Sequence, residues 1–163
     1  MPKLKKSIEV DVPVRVAYDQ WTQFEEFPSF MEGVQSVQQL DEKRLHWRAG
    51  VGGRVEEWDA EIYQQEPDRV IAWRSISGAP NEGVVRFEPH DGDKTKIELE
   101  LHWEPKDATE RVGDVLGADD LRVQGDLKRF KEFVESRGAP TGGWRGRIEG
   151  ERVEEDAGSG SRG

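Results

Sequence analysis

The chain has 163 residues, a formal net charge of -10 and no cysteine. That length is the usual size of one domain, which buries about two thirds of the surface its unfolded form exposes, so one core is expected. The negative charge opposes sequence-independent binding to nucleic acid or an anionic bilayer, and the absence of cysteine excludes disulfides, thiolate metal sites and cysteine nucleophiles.

The start, MPKLKKSIEV, lacks an apolar run long enough for a signal peptide, and no window approaches a membrane span. A cytoplasmic protein without stable membrane insertion is expected. From Ser7 to Val12 the order alternates, with Ile8, Val10 and Val12 on one face and Glu9 and Asp11 on the other, as in a half-buried strand. Pro13 stops it, and Val16, Trp21 and Phe24 then recur at roughly helical spacing, which predicts a helix of two to three turns. Pro28 forbids simple continuation, so EEFPSFM is expected as a second short helix or helical turn at an angle to the first, released by Gly33.

Beyond Gly33 the period changes to two for about seventy residues. Strands VQSVQQ, LHWRAG, VEEWDAEIYQ, VIAWRSIS, VVRFE and TKIELELHW are separated by the turn signals LDEKR, GVGGR, QEPDR, SGAPNEG and HDGDK. Such short connections predict an antiparallel meander. After Pro105 the pattern returns to helix, first in DATERVGDVL and then, past Gly117, in ADDLRVQGDLKRFKEFVESRG. There Val123, Leu127, Phe130 and Val134 form one stripe, with Asp119 to cap the start and Gly138 the end. From Ala139 the composition turns to Gly, Ser, Arg and Glu, so residues 139–163 are expected to form a disordered acidic tail with Trp144 its only anchor.

The resulting class is α+β: a seven-stranded curved antiparallel sheet with two short helices and a long C-terminal helix over its concave face. One helical stripe is narrower than such a face, which leaves space for a ligand between them. The Trp21 to Met31 block, the strand carrying Trp47, the EEWDAEI and IAWRS strands, a GxxxFEP turn from Gly83 to Pro89 and the DLKRFKEFVE helix resemble the SRPBCC or START-like superfamily. More narrowly they resemble its polyketide cyclase/dehydrase and coenzyme Q-binding START-type branch, over residues 4 to 138. The resemblance implies a helix-grip fold around a hydrophobic cavity that holds lipids, polyketides, isoprenoids or hormones, without a universal catalytic motif and without a cofactor.

On that fold, strand parity points Trp47, Trp58, Trp73, Phe87, Leu99, Leu101 and Trp103 to the concave face, where they either line a cavity or fill it. Phe27, Phe30 and Met31 belong at the mouth, as a movable gate or as a plug under a loop. Parity also assigns Arg54 and Glu56 to the concave side. With Ser75 and Asn81 they either form a polar end to the pocket or lie in solvent, beyond the edge or after a bulge that follows Val55. Gly125, in mid-helix, suggests close approach to the sheet or a ligand.

His46, His90 and His102 fall on the outer face or in a turn, without metal-site spacing. On that outer face Arg44, His46 and Arg48 oppose Glu57, Asp59 and Glu61, and Arg74 and Arg86 precede Glu98 and Glu100. The leading functional expectation is binding of a small hydrophobic ligand. The alternatives are a polyketide aromatase/cyclase and an interaction module that binds through its tail.

Overall fold

Alternation becomes strand throughout the middle of the chain, and the first half of the helical pattern ends where proline forces it to. A computed structural model describes residues 3–31, 34–51, 54–77, 81–103, 113–150 and 152–154. In chain order these form β1 (Lys3–Val10), α1 (Val14–Trp21), a 3₁₀ helix (Phe24–Ser29), β2 (Val34–Gln39), β3 (Arg44–Val51), β4 (Arg54–Glu66), β5 (Val70–Ser75), β6 (Asn81–His90), β7 (Lys94–Trp103), α2 (Gly113–Arg137), β8 (Arg147–Glu149) and β9 (Arg152–Glu154).

The sheet is antiparallel along the path β1-β7-β6-β5-β4-β3-β2, so the six meander strands are sequential neighbours and β1 returns to pair with β7. Tight turns close the meander. Between β6 and β7 the chain turns through Asp91 and Gly92, both at positive φ, a conformation that suits Gly and that Asp tolerates better than most residues. The GxxxFEP segment is not a turn: Gly83 to Pro89 lies inside β6. The ladder between β4 and β5 shifts register between Ile62 and Gln64. Such a bulge bends the strand and changes which parity faces inward, and so Ile62 and Gln65 are both buried although three residues apart.

α1 starts directly after Pro13, whose carbonyl accepts the amides of Val16 and Ala17 at 3.0 and 3.2 Å. The 3₁₀ helix contains Pro28, in keeping with a tight turn that cannot extend the preceding α-helix. α2 is one helix, so Gly117 and Asp119 lie within it and not at its start; residues 104–112 are outside the described part. Gly138 ends it as expected, at φ 70°, with its amide donated to the Val134 carbonyl at 3.0 Å. The predicted stripe of Val123, Leu127, Phe130 and Val134 is buried, joined to the sheet's inner face and to Trp21, Phe24, Phe27 and Phe30 in one core.

The expectation of disorder from Ala139 does not hold for residues 139–150 and 152–154. After Gly138 the chain crosses α1 as an extended strap and ends in a β8–β9 hairpin. β8 adds to β4 through Gln64 opposite Glu149 and Gln65 opposite Ile148, whose side chain is fully buried. The strap also answers a polar problem on α1. Asp19, Gln20 and Thr22 are buried, and buried polar groups need partners. Gln20 exchanges two hydrogen bonds with Thr141, accepting its amide at 2.8 Å and donating to its hydroxyl at 3.0 Å. Thr22 Oγ1 accepts the Trp144 amide at 3.1 Å, and Arg145 bridges Asp19 and Asp68 at 2.6 Å each. Composition misled because a segment poor in apolar residues is held by polar pairing, by the buried Ile148, and by Trp144 and Val153 packed against the core.

The outer face keeps the expected charge alternation. Arg44 stands opposite Glu61, His46 opposite Asp59 and Arg48 opposite Glu57. Arg74 pairs with Glu61 at 3.7 Å rather than with the β7 carboxylates, while Arg86 reaches both Glu98 and Glu100. His46 is gripped from both sides, with Nδ1 2.6 Å from Asp59 Oδ1 and Nε2 2.8 Å from Glu57 Oε1.

Two outcomes follow from these contacts. Arg145→Ala leaves Asp19 buried with only the distant, exposed Arg15 nearby at 3.9 Å, and is expected to cost about 3 kcal/mol, or roughly 8 °C in Tm. Deleting residues 139–163 should cost more; a melting temperature unchanged by either would refute the clasp. His46 is raised above its ordinary value by its bonds to Asp59 and then Glu57. Its contribution is therefore complete below pH ~6.5 and lost as pH rises through the elevated value. His46→Gln should flatten the Tm-against-pH curve above that point by about 2 °C, since the site is half-exposed; an unchanged slope would remove the role.

Candidate functional site

Five strands supply the concave face, and their register lays its large residues side by side. Trp47 stands opposite Trp58, Trp73 opposite both Ile62 and Gly83, Gly83 opposite Leu101, and Val85 opposite Leu99. Trp47 and Trp58 stack with planes 4° apart and centroids at 6.0 Å. Trp73 lies against the β6 backbone: a Cβ added to Gly83 would come within 2.5 Å of its Cζ2. Glycine is what lets the indole lie flat there. Leu99 and Phe87 are buried, whereas Trp58 and Leu101 are half-buried and packed against the core. The side chains of Trp103 and Arg54 are outside the described part.

At the α1 end this face is filled. Phe87 lies 5.4 Å from Tyr18 and 6.1 Å from Trp21, each edge-on. Phe27 and Phe30 are only 1 and 2 % exposed. Phe27 contacts Trp21, Phe24 and Trp47 at 5.5 to 5.7 Å, and Phe30 contacts Phe130 and Phe133 at 5.2 and 5.3 Å. Of the gate and the plug, these two phenyl rings form the plug. Met31 is half-buried at its border, and the Phe30 carbonyl is tied to α2 by Arg129 Nε at 2.9 Å.

The polar candidates separate. The β3–β4 ladder runs without a break from Arg44–Glu61 to Val51–Arg54, so no bulge follows Val55. Glu56, opposite the buried Ala49, shares the face of Trp58 and is half-buried. Ser75, opposite Ala60, accepts the Asn81 amide on its Oγ at 3.0 Å, which engages its hydroxyl in holding the β5–β6 connection. Gly125 does not mark close approach to the sheet: the three atoms nearest an added Cβ all belong to the Arg129 guanidinium of the same helix.

Three features escaped sequence reasoning. Gly83 reads as the start of a turn until it is found inside β6, opposite a tryptophan. The Nε1 atoms of Trp47 and Trp58 are buried without a hydrogen-bond partner, which only coordinates reveal. Beneath the strap lies a polar cluster in which Gln65 donates to the Tyr18 hydroxyl at 3.0 Å, and burial pushes the Tyr18 phenol and the Asp19 carboxyl up, the latter against the pull of Arg145. Among the described residues no group of three or more His, Asp or Glu is placed to hold a metal, and no helix is long and apolar enough to cross a membrane.

The architecture has relatives. The structure of the Zhui aromatase/cyclase from Streptomyces sp. R1128 is similar with a TM-score of 0.69 at 17 % identity, covering 87 % of this chain and 98 % of that one. A START superfamily protein from Mycobacterium smegmatis is similar with a TM-score of 0.69 at 15 % identity, covering 83 % and 98 %. Both likenesses are of fold. In sequence the chain is 49 % identical over 149 residues to an uncharacterized 17.2 kDa protein in the melC2-rnhH intergenic region of Streptomyces lincolnensis, covering 91 % of this chain and 99 % of that one. Residues 10–133 match the family of polyketide cyclases/dehydrases and lipid transport proteins, and with its START-like architecture the chain belongs to that family.

Proposed function

We propose that the protein binds a small hydrophobic ligand of the polyketide, quinone or lipid kind against the concave face of its sheet. The face supports this reading through its incomplete cover. α2 and the 3₁₀ helix bury its α1 end in phenyl rings, but Trp58 and Leu101 stay half-buried and Trp73 presents a flat indole held down by Gly83. Broad aromatic walls of this kind suit rings and acyl chains, and membership of the family points the same way. An acidic outer face already occupied by cross-strand ion pairs leaves little for nucleic acid.

One observation favours a catalytic form of the same reading. Glu56 is carried on the concave face beside Trp58, where a carboxyl could act as general acid or base in ring closure and water loss. Glu56→Gln should then slow cyclisation of a poly-β-ketone while leaving its binding intact; equal turnover would leave binding alone. The interaction-module reading loses support because residues 141–148 are engaged with the domain itself.

Titration with 1,4-naphthoquinone or palmitate should quench or shift tryptophan emission with an affinity of roughly micromolar order, and native mass spectrometry should show a one-to-one adduct. Gly83→Ala, by lifting Trp73, should weaken that affinity about tenfold. No adduct and no spectral change at the solubility limit would sink the reading.

A further inference from the structure

Most of the concave face is hydrocarbon, yet two polar hydrogens sit in it side by side. Trp47 and Trp58 are directly opposed on β3 and β4, and their parallel rings each carry an Nε1–H that is buried and has no acceptor. Around them Val37, Leu45, Ala49, Ala60 and Phe27 bring no acceptor, and Glu56, the neighbour of Trp58 on the same face, does not bond either ring nitrogen. Ser75, the nearest hydroxyl in register terms, already takes the Asn81 amide. A buried donor left unmade is costly, and phenylalanine would fill the same stack without that cost. Two other indole nitrogens share the condition, but Trp21 stands alone among phenyl rings and Trp144 lies in the strap. Only at Trp47 and Trp58, among the described residues, are two such donors adjacent. Along the ladder the pair is flanked by Leu45 opposite Ala60 on one side and by Ala49 opposite Glu56 on the other, so each flank has one alanine.

We infer that this indole pair is the polar recognition element of the ligand face: it donates to acceptor oxygens on a ring-bearing ligand, and so selects aromatic ketones and quinones over plain hydrocarbons and acyl chains. The inference rests on the hydrophobic-ligand reading and narrows it to carbonyl-bearing aromatics. Each hydrogen bond recovers a donor that is otherwise desolvated for nothing, and the stacked geometry keeps the two donors in fixed relation without further ordering. Neither residue is asked to transfer a proton; both are positioning groups.

Two ligands of one shape separate the possibilities: 1,4-naphthoquinone, which carries ring carbonyls, and naphthalene, which carries none. The chain has no cysteine, so no thiol adds to the quinone. Nitrogen-15 spectra of the full chain contain one indole N–H signal for each of its six tryptophans, and Trp47→Phe and Trp58→Phe identify the two of interest by loss. Naphthoquinone is expected to move both signals downfield while naphthalene binds and leaves them in place. Each Phe variant should lose roughly five- to tenfold in naphthoquinone affinity and keep its naphthalene affinity within about twofold. Naphthoquinone binding with both signals unmoved, or equal losses for the two compounds, overturns the donor pair while leaving the ligand site standing. Binding of neither compound overturns the site and the pair together. The comparison of the two compounds in the unaltered protein decides the matter even where a Phe variant is unstable.

Discussion

The edge-on contact between Trp21 and Phe130, with centroids at 4.9 Å, holds the long helix against α1, and Trp21 in turn meets Phe87 of the sheet. Everything at that end of the core is threaded through it. Phe87 of β6, Trp21 of α1, Phe130 of α2, then Phe30 and Phe27 of the 3₁₀ helix and Trp47 of β3 follow one another at 4.9 to 6.1 Å. Aromatic pairs in this geometry add to their burial, and the chain of them joins five different elements. A rigid helix held close at one point of a curved sheet must stand away from it elsewhere. The half-burial of Trp58 and Leu101 is the counterpart of the full burial of Phe27, Phe30 and Phe130.

Charge plays a separate part. Carboxylates and guanidinium groups alternate across the outer face so that Arg48 meets Glu57, and Arg86 meets Glu98 and Glu100. These half-exposed pairs add little individually, but each is satisfied in one register only, and a one-residue slip would bury them. Register is what places Trp73 over Gly83 and Trp47 beside Trp58. The polar outside and the aromatic inside are thus fixed by the same alternation.

That alternation is also why the fold was legible before any coordinates. Leu99 and Leu101 against Glu98 and Glu100, or His46 against Asp59, could be read from period two alone, and parity placed Trp47, Trp58, Trp73 and Phe87 on the inner face where they lie. What parity cannot convey is distance between elements. Phe27 and Phe30 read equally as gate or plug, because the choice depends on whether Phe130 and Phe133 reach them across the fold. Gly125 suggested a tight approach that the helix does not make, since a glycine reports the absence of a side chain and not the identity of its neighbour. The strap was missed for a related reason: Thr141, Trp144 and Arg145 find partners more than 120 positions away on α1, and no local pattern announces such a pairing.

The strap bears on the concave face through α1. The family match ends at residue 133, yet Asp19, Gln20 and Thr22 on α1 are buried by groups that follow it. A helix of eight residues holds little structure by itself and depends on what packs around it. Trp21 on its inner side and Phe24 just beyond its end fasten the phenyl cluster, while Thr141 and Arg145 fasten its polar side. Loosening either set frees α1, and with it the 3₁₀ helix that follows directly. Residues 139–148 are therefore part of the same cooperative unit as the phenyl cluster, so the piece of chain that must fold to shape the concave face is longer than the stretch the family shares.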